Sequence, residues 1–190
     1  SQPTANLNYM EVAKLTASDA YGGDYFGVSV AIDGNTIVVG AHYENSRRGA
    51  AYVFRTSDGG ATYDQVTKLR AADAANYDYF GYSVAIAGGT VVVGAYYKTQ
   101  SLRTGAGAVY VFRTSDGGVT YGQVDKLTSS DPWGDGGDCG ANGIQLGRSV
   151  AIASDTIVVG ADLDDHGYNE CDAGSVYVFD ANAPTSQPTS

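Results

Sequence analysis

Along residues 29–41 the chain reads SVAIDGNTIVVGA, two short runs of small and β-branched apolar residues on either side of a polar break. The pattern returns at 83–95 as SVAIAGGTVVVGA and at 149–161 as SVAIASDTIVVGA. Runs of this length and composition predict paired β-strands, and DGN, AGG and ASD supply tight-turn residues that tolerate positive φ. A third run follows each hairpin: AYVF at 51–54, then VYVF at 109–112 and 176–179. A fourth segment, QVTKL at 65–69 and QVDKL at 123–127, is reached through an RTSDGG turn, and EVAKL at 11–15 matches it ahead of the first hairpin. No window sustains an apolar period of 3.6, so the expectation is all-β, with units of four antiparallel strands.

Ordered self-similarity of this kind marks a repeat architecture whose units stack on their neighbours, and four-stranded units are the blades of propellers. Phe26-Gly27 and Phe80-Gly81 precede two of the hairpins, and Leu146-Gly147 the third. Phe-Gly, then SVAI, VVGA and GAxYVF, resembles the FG-GAP repeat, known from the propeller of integrin α-subunits and from microbial and algal surface proteins. The resemblance covers about residues 8–179. It implies propeller blades and an extracellular adhesion or interaction role. One departure stands out: the calcium loop D-x-D-x-D-G that the family often carries between the first two strands is absent, because these turns are too short to supply six to eight oxygens.

The phase of the repeat sets expected boundaries: blade one at about 26–69, blade two at about 80–127, and blade three at about 146–179 without its outer strand. Residues 8–15 are expected to be a strand that completes blade three. Residues 1–7 and 181–190 read as Ser/Gln/Pro/Thr linkers around a repeat domain at 8–180. Propellers close at about 4 to 8 blades, so three blades point to a homodimer forming a six-bladed ring. The alternatives are a piece of a larger propeller, or three sheets about a pseudo-threefold axis.

Composition narrows the function. The formal net charge of −10 argues against nucleic acid and anionic membranes. No run is long enough to span a bilayer. His42 and His166 fit no zinc or nucleophile pattern and no G-x-S-x-G occurs, so the reading is non-catalytic.

The candidate chemistry lies on one face, because the short turns are all at one end of the blades and the long, acidic, aromatic loops at the other. The third repeat departs most. Its two long loops carry Asp131, Asp135, Asp138, Asp162, Asp164, Asp165, Glu170 and Asp172 with no Lys or Arg. Bound Ca²⁺ would relieve that repulsion, with Asp162, Asp164, Asp165, Asp131, Asp135 and Asp138 as ligands; a solvated acidic surface is the competing reading. Cys139 and Cys171 fall on the same two loops and are expected to form a disulfide, implying an oxidising compartment and a secreted or cell-surface parent. Trp133, Tyr168, Tyr43, Tyr96 and Tyr97 are the candidate ligand contacts, for a protein partner or a sugar ring. Asp19, Asp73 and Asp131 each follow a KL pair by four residues, and are expected to cap turn N–H groups.

Overall fold

The computed structural model describes residues 9–100, 102–131, 143–166 and 171–182. It holds three antiparallel sheets. The first is β1 (Val30–Asp33), β2 (Thr36–Ala41), β3 (Ala50–Arg55) and β4 (Asp64–Leu69), in that order. The second is β5 (Ser83–Ala87), β6 (Thr90–Ala95), β7 (Ala108–Arg113) and β8 (Gly122–Leu127), in the same order. The third has three strands among the described residues: β9 (Ser149–Ala153), β10 (Thr156–Ala161) and β11 (Ser175–Asp180). The registers repeat residue for residue, Val39 facing Tyr52, Val93 facing Tyr110 and Val159 facing Tyr177. A bulge recurs between Val53 and Phe54 and between Val111 and Phe112.

Strand alternation gives each sheet two apolar faces, and the core lies between sheets. Val38, Ala51 and Val53 of blade one pack on Phe80, Val84, Val91, Val93, Tyr110 and Phe112 of blade two. The other face of blade two, with Val92, Val109 and Val111, packs on Leu146, Ile157 and Val159 of blade three. Burial of a Val or Phe side chain stabilises by about 1.5–3 kcal/mol, so these two seams hold the stack together. Phe80 is fully buried and touches Tyr110 and Phe112 edge-on, which fits the structural role its motif implies.

One expectation changes. Residues 9–15 form no strand here, and Tyr9, Met10 and Val12 are strongly exposed. An apolar segment with no sheet edge beside it has no partner for its backbone groups. Only Leu15 is anchored, against the blade-one cluster of Val39, Tyr52 and Phe54. β11 correspondingly pairs with β10 alone among the described residues.

Candidate functional site

The long loops interlock across blades. Tyr79 and Phe80 donate their backbone N–H groups to the carbonyls of Arg47 and Arg48 (2.9 and 3.2 Å). Gln145 and Leu146 do the same to Gly105 and Ala106 (2.9 and 3.1 Å). The loop entering each blade is thus zipped to the β2–β3 type loop of the blade before it. Tyr25, Tyr79 and Gln145 stand at the same place in the three repeats and hold positive φ of 56°, 57° and 57°. Each costs about 1–3 kcal/mol in backbone strain; the zipper holds Tyr79 and Gln145, whereas Tyr25 keeps the same conformation within its own blade, its carbonyl accepting the Val28 N–H.

The zipper builds a shelf of rings spanning blades one and two. Tyr79 lies 5.4 Å from Tyr43, 5.3 Å from Tyr96 with near-parallel planes, and 5.9 Å from Tyr97. Tyr82 meets Tyr96 at 4.6 Å, and His42 fills the gap between Tyr25, Tyr43, Tyr79 and Tyr82. The guanidinium of Arg148, from blade three, lies over Tyr82 and Tyr96 at 5.4 and 5.0 Å. Arg47 flanks the opposite end, over Tyr43 and Tyr77. Ring contacts contribute about 0.5–1.5 kcal/mol each, so the shelf is held before any ligand arrives. Burial, and then the charge of neighbouring Tyr79, pushes Tyr96 up to about 12. Burial alone lowers His42, whose Nδ1 has no partner among the described residues. Tyr96 and His42 are therefore uncharged at neutral pH, and the shelf has a guanidinium at each end.

Three of the candidate contacts, Tyr43, Tyr96 and Tyr97, come together in this shelf; Trp133 and Tyr168 lie outside the described residues. Tyr79, Tyr82 and Arg148 are additions. Tyr79 was legible as the Tyr of Tyr-Phe-Gly, whereas Arg148 had no signal, being a single basic residue at the head of β9.

The acids of blades one and two are not the bare acidic face that loop composition suggests. Lys68 of β4 donates to Asp19 (2.6 Å) and Glu44 (3.0 Å), and Arg70 adds a bond to Glu44 (2.8 Å). Lys126 of β8 donates to Asp73 (2.7 Å), and buried Lys98 donates to Asp78 (2.8 Å). Tyr52 and Tyr110 give their hydroxyl protons to Asp19 and Asp73. The expectation that Asp19 and Asp73 cap turn N–H groups is thus revised, since they tie the loop entering each blade to that blade's third and fourth strands, β3 and β4 or β7 and β8. Asp24 and Asp78 do cap turns, accepting from the N–H groups of Tyr21 and Ala75. Burial raises the Asp73 carboxyl, but the bonds from Lys126 and Tyr110 and the charge of Lys98 outweigh it, holding it at about 2.

In blade three, Asp164 is buried and accepts the Tyr177 hydroxyl (2.7 Å). Asp165 accepts the N–H of Asp172 (2.8 Å), and Asp162 sits beside Arg148 (3.4 Å). Among the described residues no three His, Cys, Asp or Glu side chains converge as a metal site. The Asp162, Asp164 and Asp165 trio therefore does not form one centre with Asp131. Asp135, Asp138 and Cys139 lie outside the described residues, while Cys171 lies in the turn before β11. One contact that motif reading missed is His166 Nε2 at 2.8 Å from Ser175 Oγ, an exposed pair that no described carboxylate joins.

Among the described residues no helix is long and apolar enough to cross a membrane. The family model described as FG-GAP repeat matches residues 9–54, 63–112 and 121–179. No curated protein matches the chain.

Proposed function

The chain belongs to the FG-GAP repeat family, and from that premise we propose that it is a non-catalytic, extracellular interaction module. In this reading it binds a protein or glycan through the tyrosine shelf on its loop face. The observation that carries the proposal is the shelf itself: seven preassembled rings from two blades, five of them half-buried, with His42 buried beneath, Tyr25 exposed, and Arg47 and Arg148 at its ends. Flat aromatic surface with fixed rotamers stacks on sugar rings and anchors protein side chains at low entropic cost. Arg at either end supplies directional donors for hydroxyls or carboxylates.

A Ca²⁺-dependent lectin is the second reading, favoured by the acids of the third-repeat loops. Such a site would draw on Asp131, Asp135, Asp138, Asp162, Asp164 and Asp165, and Ca²⁺ would compete there with Arg148 for Asp162, with the Tyr177 hydroxyl for Asp164 and with the Asp172 N–H for Asp165. The Cys139–Cys171 pairing belongs to the same proposal and would fasten those loops in an oxidising compartment.

The test is a glycan array and a cell-surface pull-down with the wild-type chain and a Tyr43→Ala/Tyr96→Ala variant. Retention lost in the variant, with the fold intact by circular dichroism, supports the shelf. Equal retention by both refutes it. Repeating the array in chelator separates the two readings: loss of binding favours the lectin, and titration calorimetry with Ca²⁺ checks the site directly.

A further inference from the structure

Blade three carries the features by which blades one and two receive the blade that follows them, yet among the described residues its equivalent glycines meet only their own blade. Gly49 and Gly107 approach the following blade so closely that a Cβ would strike the backbone of Phe80 and Leu146 respectively. Both bridge to those residues in parallel fashion. Gly174 stands at the same position with φ of 79°, like the 81° of the other two, but its nearest neighbours are Asp162 and Ala161 at 3.5 Å or more. Gly40 and Gly94 likewise abut the carbonyls of Gly81 and Gly147, whereas Gly160 meets only Ser149. Ser29 and Ser83 donate to those same carbonyls at 2.9 and 2.7 Å. Ser149 is their equivalent.

The apolar faces follow the same logic. Val92, Val109 and Val111 of blade two are buried against blade three. Their counterparts Val158, Val176 and Val178 are 36%, 67% and 65% exposed. Blade one shows the complement: Val84 and Ile86 of blade two pack against blade one, while their counterparts Val30 and Ile32 are 67% and 64% exposed. A groove of about 490 Å³, lined by Tyr82 and Arg148 together with Ser149, Gly160, Gly174 and Val176, contains the counterparts of Ser83, Gly94, Gly107 and Val109, the blade-two residues around Leu146 and Gly147.

We infer that a second copy of this chain docks its first blade on the third, Phe26-Gly27 entering that groove, and that residues 10–15 of the second copy add the outer strand beside β11. The occupant is specified by the repeat. β4 and β8 stand immediately before the loop that opens the next blade, and residues 10–15 stand in that place before blade one. The register transfers directly. Tyr52 faces Lys68 and Tyr110 faces Lys126, so Tyr177 faces Lys14 of the second copy, Val178 faces Ala13, and Val176 faces Leu15. Lys68 and Lys126 reach Asp19 and Asp73; Lys14 then reaches Asp131, which holds their position in the third repeat. The contact is head-to-tail, so it closes only for a suitable number of copies. Two copies give six blades, inside the range of about 4 to 8 at which propellers close, and three give nine, outside it. The two tyrosine shelves then share one face of one ring.

Sedimentation equilibrium of the 190-residue chain tests stoichiometry, with a mass of two chains expected. Ala13→Cys and Val178→Cys variants, one carrying an affinity tag, test geometry. Oxidation of their mixture is expected to give a disulfide-linked pair of one tagged and one untagged chain, and neither variant alone is expected to do so. Lys14→Glu is expected to weaken dimerisation at least tenfold with unchanged circular dichroism, since Lys14 is exposed. A monomer, an open-ended series of larger species, or a dimer that gives no mixed cross-link each overturns the inference. None of these variants touches the shelf, so loss of the dimer and loss of ligand binding are scored separately.

Discussion

Lys98→Met should be among the most damaging single substitutions in blade two. The Lys98 ammonium is buried, with its side chain 8% exposed, and it donates to Asp78, itself 6% exposed, at 2.8 Å. It also donates to the Asp73 carbonyl at 2.5 Å. Methionine fills the stem volume, so the transfer and cavity terms are small. What is lost is the counter-charge. Removing one partner of a buried pair leaves the other uncompensated, at about 3–5 kcal/mol. A chain of this size shifts its Tm by about 2–4 °C per kcal/mol, so the predicted loss is about 6–20 °C. Asp78 also accepts the Ala75 N–H, a bond that Asn can keep. Lys98→Met/Asp78→Asn should therefore recover much of the loss, a coupling that a double-mutant cycle measures. Urea unfolding of the four proteins at one fixed chain concentration is the assay, because association changes apparent stability. If Lys98→Met lies within about 1 kcal/mol of wild type, the scale of an exposed pair, or the two substitutions simply add, the ion pair is not what holds this loop.

Asp73 is held at about 2, below its ordinary value of 3.8. The stability it confers is thus complete above the unfolded value, near pH 4, and is lost as pH falls toward 2; Asp73→Asn should flatten the stability profile in that window. His42 is lowered by burial, so protonation opposes folding, and His42→Phe should reduce the loss of stability as pH falls below about 6.5, read by thermal melts across a pH series. Tyr177→Phe strips buried Asp164 of its hydroxyl donor, which should cost about 1–3 kcal/mol and speed hydrogen exchange in the turn ahead of β11. Gly107→Ala forces a Cβ into the Leu146 backbone, and over-packing there should cost about 1–3 kcal/mol, measured by urea midpoint.

The strands were legible because the same short β-branched runs and turn residues survive in every copy, with Phe-Gly or Leu-Gly ahead of each hairpin. That residues 9–15 form no strand in the single chain was not legible. EVAKL has the composition of β4 and β8, but a strand needs an edge, and the edge it matches belongs to blade three. The Asp19 and Asp73 network had a readable signal, since Tyr52 then Lys68, and Tyr110 then Lys126, recur in the same order after those acids. What spacing withheld was direction: the lysines on β4 and β8 rise to the loop face, so counting loop residues alone overstated its negative charge. The shelf was half legible. Tyr43, Tyr96 and Tyr97 stood out as loop aromatics, but their convergence on Tyr79 depends on the zipper between blades, and on a left-handed backbone at Tyr79 that no residue type announces.

One position shows how this fold separates scaffold from chemistry. Glu44, Lys98 and Asp164 occupy the same place in the three repeats, three residues after the last Ala of the β2, β6 and β10 strands. All three are buried, yet each solves its burial differently. Glu44 takes Lys68 and Arg70, Lys98 takes Asp78, and Asp164 takes the Tyr177 hydroxyl. The loops after them differ, with Asn45, Ser46 and Arg47 left-handed after Glu44, but the inter-blade zipper and the Phe or Leu beneath it carry the geometry of the stack. The repeat can therefore vary charge on its loop face without altering the blade stack. That is why the two neighbouring positions, His42-Tyr43, Tyr96-Tyr97 and Asp162-Leu163, were free to become a ring shelf over blades one and two. At blade three they became a carboxylate held by Arg148. Ligand choice would then lie in these exchangeable pairs, and closure of the ring in the glycines and valines that all three blades retain.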